Sequence, residues 1–102
     1  MYAREYLVAE RTLLGAVDSF LKATVHVRPQ LVSCFEQISD AWIDAWLEQG
    51  GENLVEAVDG AWLQRYLEQL GDDERVEAKR FFAAFYAWAV RENLVDTSPS
   101  LR

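Results

Sequence analysis

Residues Val76–Pro99 read VEAKRFFAAFYAWAVRENLVDTSP, and this segment is the strongest evidence for the fold. Apolar and small residues recur in it every three or four positions, which predicts a long amphipathic helix. The helix should begin at Asp72-Asp73-Glu74, where negative charge complements a helix N-terminus. Asn93 tolerates positive φ and is the expected left-handed residue at its end. The predicted core stripe consists of Ala78, Phe81, Phe85, Trp88 and Ala89.

Three more helices are predicted upstream. Asp59 is a plausible N-cap for the third, Gly50-Gly51 and Gly71 are helix stops, and Val25 to Pro29 is a break. Glu52 to Val58 could begin a helix or form an irregular loop. The predicted helices span about Ala3 to Ala23, Pro29 to Gln49 and Gly60 to Leu70.

The composition is that of one well-packed helical domain, spanning residues 1–102. The 102 residues are 51% hydrophobic and 13% aromatic, with only five Gly and two Pro. The chain shows neither a signal-peptide core nor a run of about 20 apolar residues, so a cytoplasmic protein without membrane contact is expected. The single Cys34 excludes an internal disulfide and is expected to be a small buried hydrophobe.

The order of these motifs resembles the core-binding domain of the tyrosine recombinase (phage integrase) family. The last helix, with its aromatic pair, Trp-Ala-Val-Arg run and exit to a Pro, is similar to the helix that leads into the family's catalytic domain. The resemblance covers about Leu14 to Pro99 and implies an all-α, four-helix orthogonal bundle of the SAM-like kind. It also implies a DNA-binding module that serves DNA integration or site-specific recombination. The other matching segments are Ala16–Leu21, Arg28–Leu31, Trp42–Leu47 and Val58–Leu67.

The resemblance does not bring catalytic residues with it. Recombinases of this family cleave DNA with a Tyr nucleophile in a domain that would follow Pro99, so this polypeptide alone is expected not to be an enzyme. His26 should lie in a loop, and it has no His or Cys partner at metal-ligand spacing. No metal, cofactor or small-molecule substrate is therefore expected.

The charge of the chain argues against DNA binding, which gains affinity from Lys and Arg. The chain has 10 basic and 17 acidic residues and a net charge of −7. Residues 29–64 contain seven acids and no Lys or Arg, so the whole imbalance lies there. Four of these acids recur every four residues along the second helix. This acidic ridge is a solvated outer face, a docking surface for a basic protein partner, or a face that points away from DNA and deters wrong orientations. It consists of Glu36, Asp40, Asp44 and Glu48.

On the last helix, Arg80 and Arg91 are predicted to share a face with Ala84 and Ala87 between them. The resemblance implies that this face grips double-stranded DNA, with phosphate contacts from arginines and base contacts from Gln64 and Arg65. The alternative is ordinary exposed arginines in ion pairs within their helix. A competing function is a protein-interaction domain that uses the acidic ridge or an exposed aromatic such as Tyr86. The candidate DNA-binding residues are Arg28, Gln64, Arg65, Arg75, Lys79, Arg80 and Arg91.

Overall fold

The computed structural model describes residues 11–101. Within them the chain forms four α-helices and one 3-10 turn, with no β-strand. The predicted all-α class and four-helix bundle are confirmed; the predicted first-helix start at Ala3 lies outside the described residues. The helices are α1 (Leu13–Val27), α2 (Pro29–Glu48), α3 (Gly60–Glu68) and α4 (Asp72–Arg91), and the 3-10 turn is Val55–Ala57.

The junction between α1 and α2 is shorter than predicted. Helix α1 continues to Val27, so the predicted break from Val25 to Pro29 shrinks to Arg28 alone. Proline disfavours the α conformation only for the residue directly before it, which leaves the preceding valines free to stay helical. The expectation that His26 lies in a loop is therefore wrong, because it is an exposed residue of the last turn of α1.

Two helices end in Schellman motifs at the residues the sequence predicted. After α4, Asn93 has φ of 60°, and the Leu94 amide donates to the Ala89 carbonyl at 2.9 Å. After α2, Gly50 has φ of 92° and the Gly51 amide donates to the Trp46 carbonyl at 3.0 Å. A Cβ at Gly51 would overlap the Trp46 indole, so this turn requires glycine.

The core is an aromatic cluster in which α4 packs against α1 and α2. Phe81 and Trp42 are fully buried. Phe81 meets Phe20 of α1 and Phe35 of α2 edge-on, at ring distances of 5.9 and 5.3 Å. Helix α3 adds Leu63 and Leu67, both 0% exposed. The predicted stripe on α4 is buried except for Trp88, which is half-buried.

The segment that the sequence left ambiguous joins α2 to α3 and braces the start of α1. Its 3-10 turn buries Val55, and Asn53 accepts a hydrogen bond from the Leu14 amide at 3.1 Å. At the other end of the segment, Asp59 caps α3 by accepting from the Trp62 amide, as predicted. The segment is thus an irregular loop tied to two helix N-termini.

Candidate nucleic-acid interface

Three of the predicted DNA-binding residues line one groove, which we call the arginine groove. It has a volume of about 410 Å³ and lies where α1 and α2 meet the C-terminal half of α4. Its apolar floor includes Phe20, Leu31 and Trp88. Its other lining residues include Arg28, Arg80, Arg91, Ala84 and Ala87.

Local backbone geometry explains why these arginines converge. Arg28 is the single non-helical residue between α1 and α2, with φ of −140° and ψ of 72°, and the following Pro29 fixes it there. Arg80 and Arg91 are eleven residues apart, three turns of α4, so they lie on one helix face roughly 16 Å apart along the axis. Between them lie Ala84 and Ala87, whose small side chains leave the groove open along α4.

Most of the positive charge of the arginine groove is uncompensated. Arg80 pairs with Glu77 at 3.7 Å, and both side chains are about half exposed. Within residues 11–101, no carboxylate lies within 4.0 Å of Arg28 or Arg91. Arg80 therefore forms the ion pair within its helix that was considered as an alternative to DNA binding. Arg28 and Arg91 remain available to an anion.

Arg75 has a structural role that the sequence analysis missed. Its guanidinium donates to the carbonyls of Leu67 at 3.0 Å, Leu70 at 3.0 Å and Glu68 at 3.4 Å. The Leu67 and Glu68 carbonyls lie in the last turn of α3, where carbonyls lack the amide partner four residues on, and Leu70 follows that helix. The Leu67 carbonyl also accepts from the Leu70 amide at 3.1 Å. Arg75 thereby fastens the end of α3 to the start of α4, and these donors are used within the domain.

The remaining predicted residues lie away from the arginine groove. Lys79 lines a small cavity of about 180 Å³ together with Pro99 and Leu101 of the chain's last segment. Gln64 is half-buried and Arg65 is exposed, both on α3, and neither lines the arginine groove. The predicted set of seven residues thus separates into a cluster of three and four residues placed elsewhere.

The acidic ridge is fully on the surface. Glu36, Asp40, Asp44 and Glu48 are all exposed, and no Lys or Arg of the described residues lies within ion-pair distance of them. None of the four lines the arginine groove. The suggestion that Tyr86 is an exposed docking aromatic is wrong, because its side chain packs into the core with 3% exposure. The face that α4 buries is wider than the predicted stripe and includes Phe82 and Tyr86.

A second groove, which we call the acidic groove, lies between α2, the end of α3 and the start of α4. Its volume is about 390 Å³. Burial and the Glu77 carboxylate raise the pKa of the Cys34 thiol, whose sulfur lies 3.5 Å from Glu77 Oε2. Cys34 is half-buried instead of fully buried as predicted. The lining includes Cys34, Ile38, Tyr66, Leu70, Asp73, Glu74, Glu77 and Ala78.

A third cavity, of about 620 Å³, lies at the end of α4 and is lined partly by Asn93, Asp96 and Thr97. Tyr86 also borders it, but its hydroxyl is buried and has no hydrogen-bond partner within residues 11–101. Burial raises the pKa of this hydroxyl well above its usual range. The Tyr86 hydroxyl is therefore not accessible to a ligand in this cavity.

Comparisons with known proteins do not assign the chain to a family. No family model, curated protein or solved structure matches the chain significantly. In residues 11–101, no group of three or more His, Cys, Asp or Glu side chains could hold a metal ion. None of the helices described is long and apolar enough to cross a membrane.

Proposed function

We propose that this domain binds double-stranded DNA through the arginine groove and positions it for a catalytic domain of the tyrosine recombinase type. The observation that carries the proposal is the convergence of Arg28 with Arg80 and Arg91 on one groove from separate parts of the chain. Arginine guanidinium groups are well suited to phosphate oxygens, which they bind in a bidentate manner. The order of the sequence motifs supports the recombinase assignment.

The exposed face of α4 suits close approach to a duplex. Ala83 and Ala87 are exposed small residues between the charged positions, so a sugar-phosphate backbone can come near the helix. Each phosphate neutralised by an arginine releases condensed counterions, which supplies affinity despite the net charge of −7. The acidic ridge lies outside this groove and disfavours docking in the wrong orientation.

The test is fluorescence anisotropy of a labelled duplex of roughly 30 base pairs at about 50 and 200 mM salt, with steep loss of affinity expected at the higher concentration. The double variant Arg80→Glu/Arg91→Glu should abolish binding. The control Arg11→Glu/Lys22→Glu makes the same charge change at exposed residues that neither line the groove nor belong to the candidate set, and it should retain most of the binding. Equal loss in both double variants, or no binding by the native chain at low salt, would overturn the proposal.

The second candidate function is a protein-interaction domain that docks a basic partner. It is favoured by the exposure of all four ridge carboxylates and their lack of a basic partner among the described residues. Under this function, Asp40→Lys/Asp44→Lys should weaken capture of the partner, while Arg80→Glu/Arg91→Glu should not. The two pairs of variants therefore separate the candidates.

A further inference from the structure

The acidic groove combines an apolar floor with carboxylates along one wall. Ile38 of α2 and Leu70 after α3 supply apolar surface, Tyr66 adds its ring, and the buried Ala78 of α4 borders the groove. Asp73, Glu74 and Glu77 lie along the α4 side. The floor offers apolar contact area to a ligand, and the carboxylates of the rim favour a ligand with positive charge.

The negative charge of this rim is largely uncompensated. No basic side chain in the described part of the chain pairs with Asp73 or Glu74. Burial and the Glu74 carboxylate raise the pKa of Tyr66, whose ring also lines the groove. Glu77 is shared between Cys34 and Arg80.

The acidic ridge borders the opposite wall. Gln37 and Ala41 line the acidic groove on α2. Asp40 and Asp44 each follow one of them by three positions, and residues three apart are neighbours on a helix surface. An occupant of the groove therefore has carboxylates on both flanks and apolar side chains beneath it.

We propose that the acidic groove binds a basic amphipathic helix of a partner protein. Apolar residues of that helix, spaced at i, i+3, i+4 and i+7, would lie on the floor, and its Lys or Arg side chains would reach the carboxylates on either flank. An acidic helix would be repelled by these carboxylates, and an uncharged helix would form no ion pairs with them. This site is separate from the arginine groove and does not rest on the DNA-binding proposal.

The test uses a labelled 18-residue peptide of Leu and Lys with helical periodicity, titrated with the full chain and followed by anisotropy. Two peptides serve as comparisons: one replaces every Lys by Glu, and one has the same Leu and Lys content in alternating order. Only the first peptide should bind tightly. The variant Asp73→Lys/Glu74→Lys should weaken that binding at least about tenfold, whereas Asp18→Lys/Asp96→Lys, with the same charge change elsewhere, should not.

A second variant tests the floor without changing charge. Ala41 is exposed, so Ala41→Gln should fold normally while covering apolar surface, and we expect weaker peptide binding. The proposal would be overturned if the alternating peptide bound as tightly as the helical one, or if both charge-reversal variants lost the same affinity. Either result would mean that the peptide is attracted by the net negative charge of the protein and not by the groove. Concentration-dependent dimerisation of the chain alone, lost in Asp73→Lys/Glu74→Lys, would identify a second copy as occupant and also overturn it.

Discussion

The arginine groove and the acidic groove lie along the same two helices yet have opposite rim charges. Both lie between α2 and α4, both have apolar floors, and their volumes are about 410 and 390 Å³. The difference comes from α4, which has Asp72, Asp73 and Glu74 in its first turn and Arg91 in its last. This distribution complements the helix dipole. Charges that stabilise one helix thus also give its two ends different binding preferences.

The largest expected effect comes from removing the packing beneath both grooves. Phe81→Ala should lower the free energy of unfolding by about 3–5 kcal/mol, because it deletes a fully buried ring that packs against aromatic rings of both α1 and α2. Both binding activities should fall together. Urea unfolding measures the loss, and Val76→Ala, which truncates an exposed side chain on the same helix, is the control. A stability loss below about 1 kcal/mol would contradict this central role.

A smaller change should separate the two grooves. Arg75→Ala removes hydrogen bonds that hold the end of α3 against α4, which should cost about 1–3 kcal/mol. Peptide binding in the acidic groove should weaken because Tyr66 and Leu70 lose their support, while DNA binding at the arginine groove should persist. The matched control is Arg65→Ala on the surface of α3. If both variants have native thermal stability, the proposed fastening by Arg75 is wrong.

Tyr86→Phe should stabilise the domain by about 1 kcal/mol and leave both grooves unchanged. The substitution removes a buried hydroxyl without a partner, and such a group costs free energy in the folded state. Differential scanning calorimetry should show a higher Tm, whereas Tyr66→Phe, at a half-buried position, should change it little. A clear drop in Tm for Tyr86→Phe would mean that the hydroxyl has a stabilising partner.

The smallest effect concerns the boundary between the grooves. Glu77→Gln removes the carboxylate that helps to raise the pKa of the Cys34 thiol and leaves the nearby Arg80, which lowers it. The thiolate fraction at pH 8 should increase, and with it the rate of reaction with a disulfide reagent such as DTNB. Glu74→Gln, whose carboxylate does not perturb Cys34, is the reference. An unchanged rate in Glu77→Gln would exclude control of the thiol by that carboxylate.

Local signals in the sequence were enough to predict four helices, the ends of α2 and α4 and the start of α3. The apolar periodicity of α4, the Asp59 cap and the turns at Gly50 and Asn93 all depend on residues within one or two turns of one another. The clustering of Arg80 and Arg91 followed from the same periodicity. The predicted break was wrong at Val25–Val27 because Pro29 restricts only the residue directly before it, Arg28.

The remaining features depend on contacts between distant segments. Arg75 resembles any surface arginine until the end of α3 is placed beside it, and Asn53 resembles a loop residue until α1 begins at its side chain. The acidic groove was missed for the same reason, since its lining comes from three helices. Tyr86 was misplaced because it lies beside the stripe predicted for α4, and the face that α4 buries is wider than that stripe.

Glu77 links the two grooves, because it lines the acidic groove and pairs with Arg80 of the arginine groove at 3.7 Å. A cation that binds Glu77 competes with Arg80 for the same carboxylate and makes that guanidinium more available to a phosphate. By thermodynamic linkage, an anion that takes Arg80 must then strengthen cation binding at Glu77 by the same factor. A pair of side chains one helical turn apart thereby gives this small domain a route to positive cooperativity between two oppositely charged ligands.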